Sequence, residues 1–385
     1  MSGDQRLPRR DFVILPLLFL LTVCVMLGAA ELLANQFFDE TGSETCGVRD
    51  PLHGYRIRPN CSSWRKAAEG PRVENTYNDC GCRSRESCAP PPPGAIRVAT
   101  FGTSTAQGMK VAQDQILTAR LGGLLTTSCR RPVEFQNMGV PGYKPLDQYL
   151  RVEEALAMRP DIVMLVIVPF DLEDTEDPKR LANRDHPELL VRAQAAATAA
   201  PQSRPLFQRI NDALSDSRAV IAAEHFLYQD RATYVRLFLK YGDKADYLRP
   251  PFSPVWEQRL KDLELLLGGM ADKIHAAGKP FLVVLGPQLI QLALLNPADR
   301  PSGVDPYAIG KRLQEIADRH GIRFVNTLDY FRSVKRPESL FYAVDGHMTG
   351  DGYAVIAKGL AHDLPLKGIA PLAGCAVDKM VGVTP

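Results

Sequence analysis

The chain has 385 residues, 45% hydrophobic and 23% charged, the balance of a globular protein with one large or two ordinary domains. Lys and Arg number 46 against 44 Asp and Glu, a formal net charge of +2. No basic run is interleaved with aromatics, so nucleic-acid binding is set aside.

The first element is an uncharged apolar run over residues 12–30, close to the length one helix needs to cross a bilayer. Arg6, Arg9 and Arg10 precede it, and Glu31, Asp39, Glu40 and Glu44 follow it. The positive-inside bias puts residues 1–11 in the cytoplasm as a short tail and the rest outside, in the periplasm of a Gram-negative cell. Gly28-Ala29-Ala30 is also a small-residue cleavage site, so a removed signal peptide is the competing reading. The length of the run and its continuation as Leu32, Leu33, Phe37 and Phe38 favour a retained transmembrane anchor.

Residues 31–95 form a polar lead with little core-forming sequence and five of the eight cysteines: Cys46, Cys61, Cys80, Cys82 and Cys88. In an oxidising compartment this crowding reads as disulfide stapling. Zinc is the weaker alternative, because Cys80-Gly81-Cys82 is too closely spaced and no histidine pair stands near. Cys24 lies in the apolar run; with Cys129 and Cys375 the remainder is odd, so at least one thiol stays free or pairs between molecules. The connectivity is not legible. The lead ends in Pro90-Pro91-Pro92-Pro93-Gly94, a stiff extended linker.

Regular alternation begins at Ile96. Strands are predicted at 96–101, 133–135, 161–168, 280–285 and 322–325, and helices at 116–125, 146–158, 256–277, 307–320 and 350–364. The run from Asp161 to Val168 does not alternate, as expected of a parallel strand buried on both faces. The segment at about 172–250 breaks the pattern and reads as an insertion, helical around 206–240. The main domain then spans 96–370, with a tail at 371–385. Five strands alternating with helices predict an α/β three-layer fold on a parallel sheet, whose ligands bind at the carboxyl ends of the strands.

Two distant segments carry chemistry. Phe101-Gly102-Thr103-Ser104-Thr105-Ala106-Gln107-Gly108 follows a β-branched run, so Ser104 sits on a tight strand-to-helix turn. Asp345-Gly346-His347 supplies a base and an acidic partner. Singly, the first is a capped helix start and the second a loop histidine. Together they offer the nucleophile, base and orienting carboxylate of a serine hydrolase. The glycine-bearing turn lacks a Walker lysine and the full dinucleotide fingerprint, which argues against nucleotide binding.

At these residues the chain resembles the SGNH, or GDSL-type, esterase superfamily over roughly residues 50–365. The Gly-Asp-Ser block is similar to Gly102-Thr103-Ser104, the Asn-x-Gly turn to Asn137-Met138-Gly139, and the Gly-x-Asn-Asp block to Val168-Pro169-Phe170-Asp171. The terminal Asp and His before the last helix match Asp345 and His347. Residues 50–60 look like membrane-anchored bacterial members, and the Asp-x-His spacing like periplasmic polysaccharide O-acetyltransferases. The resemblance implies a five-stranded parallel sheet in flavodoxin-like order. It implies Ser104 as nucleophile, His347 as base, Asp345 as its orienting partner, and the N–H groups of Ser104 and Gly139 as the oxyanion hole.

Two residues depart from the pattern. Thr103 replaces the supportive aspartate beside the serine. Phe170 replaces the block-three asparagine, whose amide would be a third oxyanion donor; such a donor is worth about 2.7–4 kcal/mol. Asn137 and Gln107 are in sequence range to substitute for it, and Asp171 is expected to brace loops. The expected function is an extracytoplasmic serine esterase or O-acyl transferase on a small ester or an acylated envelope glycan, with no metal or organic cofactor. The alternative is a non-catalytic glycan-binding or assembly protein, in which Phe170 stacks on a sugar.

Overall fold

A computed structural model describes residues 10–173, 176–191 and 215–376. Helix α1 spans Asp11–Ala34, with no side chain buried against the rest of the protein, and is long and apolar enough to cross a membrane. Residues 1–9 of the expected cytoplasmic tail, part of the insertion at 192–214 and the end of the tail from 377 lie outside the described residues.

The lead is more structured than its polar sequence suggests. Strands β1 (Thr41–Ser43), β4 (Ser62–Lys66) and β5 (Arg72–Thr76) form one antiparallel sheet, and β2 (Gly47–Asp50) pairs with β3 (Gly54–Ile57). Cys46, Ile57, Cys61 and Tyr77 bury a small cluster against Val140 and Tyr143. The disulfides are Cys46–Cys61, Cys80–Cys88 and Cys129–Cys375, leaving Cys82 buried and Cys24 exposed as thiols. One of the five clustered cysteines is therefore packed, not stapled.

The main sheet has strands β6 (Ile96–Gly102), β7 (Val133–Asn137), β8 (Ile162–Ile167), β9 (Phe281–Leu285) and β10 (Arg323–Asn326), all parallel. Their order is β7-β6-β8-β9-β10, the flavodoxin-like order expected. Alternate side chains explain the apolar runs. Phe101, Val163, Leu165 and Val283 face one layer, whereas Val98, Met164, Val166 and Val284 face the other. The first layer holds α4 (Pro145–Leu150), α5 (Val152–Ala157), α9 (Pro254–Ala276) and α11 (Ala308–Arg319); the second holds α3 (Leu117–Cys129) and α12 (Gly350–Leu366).

The helix expected at 146–158 is two helices. At their junction Arg151 leaves helical geometry (φ −100°, ψ 5°), and its buried guanidinium donates to Met138 O at 2.6 Å. The described part of the insertion contains α6 (Pro178–Ala182), α7 (Arg218–Tyr228) and α8 (Arg231–Phe238). Short helices α2 (Ser104–Gln107) and α10 (Leu289–Ala293) follow β6 and β9.

The disulfides differ in the loops they close: Cys129–Cys375 spans 246 residues and Cys80–Cys88 spans 8. In the chain-entropy account the longer loop contributes more, up to about 5 kcal/mol. Replacing Cys129 and Cys375 by Ser should lower Tm by several degrees, and by more than replacing Cys80 and Cys88. A larger loss from the short loop in thermal melts would contradict this ordering.

Candidate active site

Ser104 is the first residue of α2, separated from the end of β6 by Thr103 alone. Gly102 makes the turn possible: its φ is +147°, and a Cβ there would run into Ala106 Cβ and Val166 O. Strand β6 also flanks the topological switch point, because the chain leaves it toward β7 on one side while β8 lies on the other. Residues after β6 and β8 therefore share one crevice. As the first helical residue, Ser104 has an N–H with no carbonyl partner within the helix.

Helix α2 is braced from three directions. Arg83 of the lead, almost fully buried, donates to Gln107 O (3.1 Å), Gly108 O (2.6 Å) and Val111 O (2.7 Å). These include carbonyls at the end of the helix that lack intrahelical partners. Tyr353 of α12 donates to Thr105 O at 2.8 Å. Asn137 Nδ2 donates to Ala106 O at 2.8 Å.

The loop before α12 brings Asp345 and His347 to the serine. His347 Nε2 lies 2.8 Å from Ser104 Oγ, and its Nδ1 lies 2.6 Å from Asp345 Oδ1. With Asp345 accepting from Nδ1–H, Nε2 is the basic nitrogen facing the hydroxyl. The other oxygen of Asp345 forms an ion pair with Lys110. Partial burial acts to raise the pKa of Asp345. The hydrogen bond from His347 and the charges of His347 and Lys110 outweigh it, holding the carboxyl well below the usual carboxylate range. Lys110 is 235 residues from its partner, and in the sequence only its place just after the serine helix hints at it.

Thr103 Oγ1 donates to Asp171 Oδ1 at 2.7 Å, and Val168 N–H donates to Asp171 Oδ2 at 2.9 Å. Asp171 thus ties the serine turn to the loop after β8. The expected oxyanion donors fare differently. Gly139 N–H donates to Asn137 Oδ1 at 3.0 Å, and a Cβ at Gly139 would strike the backbone of Gln107, so this glycine packs against α2. Asn137 also donates to Thr118 Oγ1 (3.1 Å), and Gln107 Nε2 donates to Tyr77 OH (2.9 Å). Both amides are buried and bonded away from Ser104, so neither stands in for the missing asparagine. Phe170 is 61% exposed and lines the cavity; it is not a core residue.

That cavity, about 420 Å³, has Ser104 and His347 in its lining. The insertion builds one wall with Glu224, Tyr228, Tyr234, Phe238 and Tyr241. Glu173, Lys244 and Gln288 add polar groups. Among the described residues the one group with metal-ligand spacing is Asp79, Cys80 and Cys88, and both of its sulfurs are in a disulfide.

The sequence model of the GDSL-like lipase/acylhydrolase family matches residues 100–355. No curated protein matches the chain. Among solved structures, a catalytic mutant of Axe2, an acetylxylan esterase from Geobacillus stearothermophilus, is similar at 14% identity and TM-score 0.41, covering 74% of this chain and 97% of that one. TesA is similar at 13% identity and TM-score 0.38, covering 72% and 99%. A two-domain esterase active on acetylated mannans is similar at 11% identity and TM-score 0.34, covering 75% and 53%.

Burial raises the pKa of Asp171 to about 6, against the lowering effect of its hydrogen bonds and of His347. In the unfolded chain the carboxyl titrates near its ordinary value of about 3.9. Between those values the folded chain holds a proton that the unfolded chain has lost. The stability from this group is therefore full below about pH 4 and is lost as pH rises through about 6. Asp171→Asn cannot titrate, so wild-type Tm minus variant Tm should rise as pH is lowered from about 7 to about 4.5. A difference that stays flat across this range would show that the carboxyl is not raised.

Proposed function

Since the chain belongs to the GDSL-like lipase/acylhydrolase family and is an esterase-type hydrolase of that class, we propose that it is an extracytoplasmic, membrane-anchored serine esterase or O-acyl transferase working through an acyl-enzyme on Ser104. The observation that carries the reading is the unbroken chain Ser104 Oγ, His347, Asp345 at 2.8 and 2.6 Å. His347 Nε2 takes the Ser104 proton as Oγ attacks the ester carbonyl. The tetrahedral intermediate collapses, and His347 returns the proton to the departing alcohol. Water or a sugar hydroxyl then attacks the acyl-serine by the same steps in reverse, so hydrolysis and transfer differ only in the acceptor. Asp345 keeps Nδ1 protonated and stabilises the imidazolium. The Ser104 N–H is the backbone donor for the developing oxyanion.

The substrate class in this reading is an acylated glycan. Support comes from the size of the cavity and from a lining that mixes aromatic faces with carboxylates and an amide, a mixture suited to the faces and hydroxyls of a sugar. The anchored, exported topology draws on two features. Three disulfides favour an oxidising compartment, where such bonds form and persist. Helix α1 also runs on past the small-residue site to Ala34, and its Glu31 accepts from the N–H groups of Arg218 and Ala219 at the start of α7.

A second reading is kept by one observation: Gly139, Asn137 and Gln107 donate elsewhere, and Phe170 stands exposed in the cavity. In that reading the site binds a glycan without turning it over. A fluorophosphonate probe separates the two, since only a competent serine is labelled. Ser104→Ala and His347→Ala are each expected to abolish turnover of a short-chain aryl ester, because nucleophile and base act as a unit. Thr103→Ala removes one hydrogen bond to Asp171 and should retain much of the activity. Full activity in Ser104→Ala would reject the assignment.

Phe170→Asn tests the donor deficit directly. At an exposed position the change should alter stability by no more than about 0.5 kcal/mol. If the amide reaches the oxyanion, kcat rises, by at most about 10²–10³-fold. Unchanged Tm with unchanged or lower kcat would show that Phe170 does not occupy a donor position.

A further inference from the structure

One buried carboxylate near the site belongs to none of the family's blocks. Glu69 lies in the lead between β4 and β5, and its side chain is 3% exposed. Its Oε2 accepts the N–H groups of Val344 (2.9 Å) and Asp345 (2.8 Å). Its Oε1 lies 2.7 Å from His225 Nδ1 on α7. His225 Nε2 faces the Gln229 amide nitrogen at 2.8 Å, which leaves the ring proton on Nδ1, directed at Glu69.

Besides Glu69 and the His347–Ser104 pair, the loop reaches the segment after α2 through the Asp345–Lys110 ion pair and through the Tyr342 hydroxyl, which donates to Lys110 O at 3.2 Å; two further backbone bonds close it on itself. Gly346 N–H donates to Tyr342 O and Tyr342 N–H donates to His347 O, both at 2.9 Å, around Gly346 in the left-handed region (φ +76°). These bonds set the curvature of the turn. They do not set its position over α2. Lys110 holds it from the exposed side, and Glu69 holds it from the lead, with a buried carboxylate accepting two backbone donors, the stronger class of hydrogen bond. The same side chain joins the turn to α7, whose Glu224 and Tyr228 line the cavity. One residue thus connects the lead, the loop of Asp345 and His347, and the cavity wall.

We propose that Glu69 is a positioning residue for acyl transfer: it registers Asp345 and His347 against Ser104 and fixes them to the wall made by α7. The proposal rests on the reading of Ser104, His347 and Asp345 as the reacting set. Glu69 touches no reacting atom. Its effect runs through the direction of Asp345 Oδ1 toward His347, where a displacement of about 1 Å is enough to cost about 100-fold in rate.

The test uses the full chain in detergent, a short-chain aryl ester and a fluorophosphonate titration that counts competent sites. Glu69→Ala should lower kcat per titrated site by about 10- to 100-fold, and amide exchange at Val344 and Asp345 should accelerate. Glu69→Gln keeps an oxygen that accepts both N–H groups, so its kcat should return to within a few-fold of wild type. His225→Ala cuts the tie between Glu69 and α7, together with the edge contact to Phe38, but leaves both N–H bonds to the loop, and should act on KM more than on kcat. The proposal is overturned if Glu69→Ala keeps wild-type kcat per site, if it loses sites without losing kcat per site, or if Glu69→Gln is as impaired as Glu69→Ala. Should Glu69→Ala fail to fold, the Gln variant and His225→Ala decide alone. Failure of the underlying reading looks different: Ser104→Ala would then retain turnover, while exchange at Val344 and Asp345 would still report whether Glu69 holds the loop.

Discussion

The site hangs on the turn at Gly102. Strand β6 must stop at the carboxyl edge of the sheet and pass into α2 within two residues, and the backbone does so only at φ +147°, where a side chain would overlap Ala106 and Val166. The Gly102 carbonyl is held by Val140 N–H (3.1 Å) and Gln148 Nε2 (2.9 Å), so the turn is locked to the neighbouring loop and to α4. Ser104 therefore projects at the switch point of the sheet, where the loops after β6 and β8 diverge and leave a crevice. A longer turn would place the hydroxyl away from both His347 and that crevice.

A four-residue helix cannot hold a nucleophile still by itself, because almost all of its backbone groups are terminal. The surrounding structure supplies what the helix lacks. Arg83 takes its last carbonyls, Tyr353 and Asn137 take earlier ones, and Thr103 reaches Asp171 across the crevice. Much of this bracing comes from the lead, which also carries the Glu44–Tyr77–Gln107 series of hydrogen bonds beneath α2. The lead packs into the hydrolase body and contributes to its interior.

The insertion has a corresponding place on the other side. Helices α7 and α8 turn aromatic side chains toward the cavity, while the start of α7 is capped by Glu31 at the end of α1. Edge contacts of Phe38 with His225 and Phe226 extend the same junction. The apolar N-terminal helix, the cavity wall and the loop of Asp345 are thereby in mechanical contact through one eleven-residue helix.

What sequence alone determined follows from local and periodic signals. Non-alternating runs such as 162–167 identify strands buried on both faces, and their alternation with amphipathic segments sets the three layers. A glycine before Thr103-Ser104 marks the tight turn, and Asp345 lies two residues from His347, close enough for their pairing to be local. Contacts between distant segments have no such signal. Nothing near Arg83 or Glu69 in the chain announces the carbonyls that the first meets or the N–H groups and imidazole that the second meets, Lys110 has only its place after the serine helix to mark it, and the pairing of Cys129 with Cys375 crosses 246 residues. The packing of Cys82, the break at Arg151 and the diversion of the Gly139 N–H to Asn137 arise because buried polar groups take whatever partner the assembled layers bring within reach. Tertiary structure alone decided those partners, and with them which donors face Ser104 and which are held beneath it.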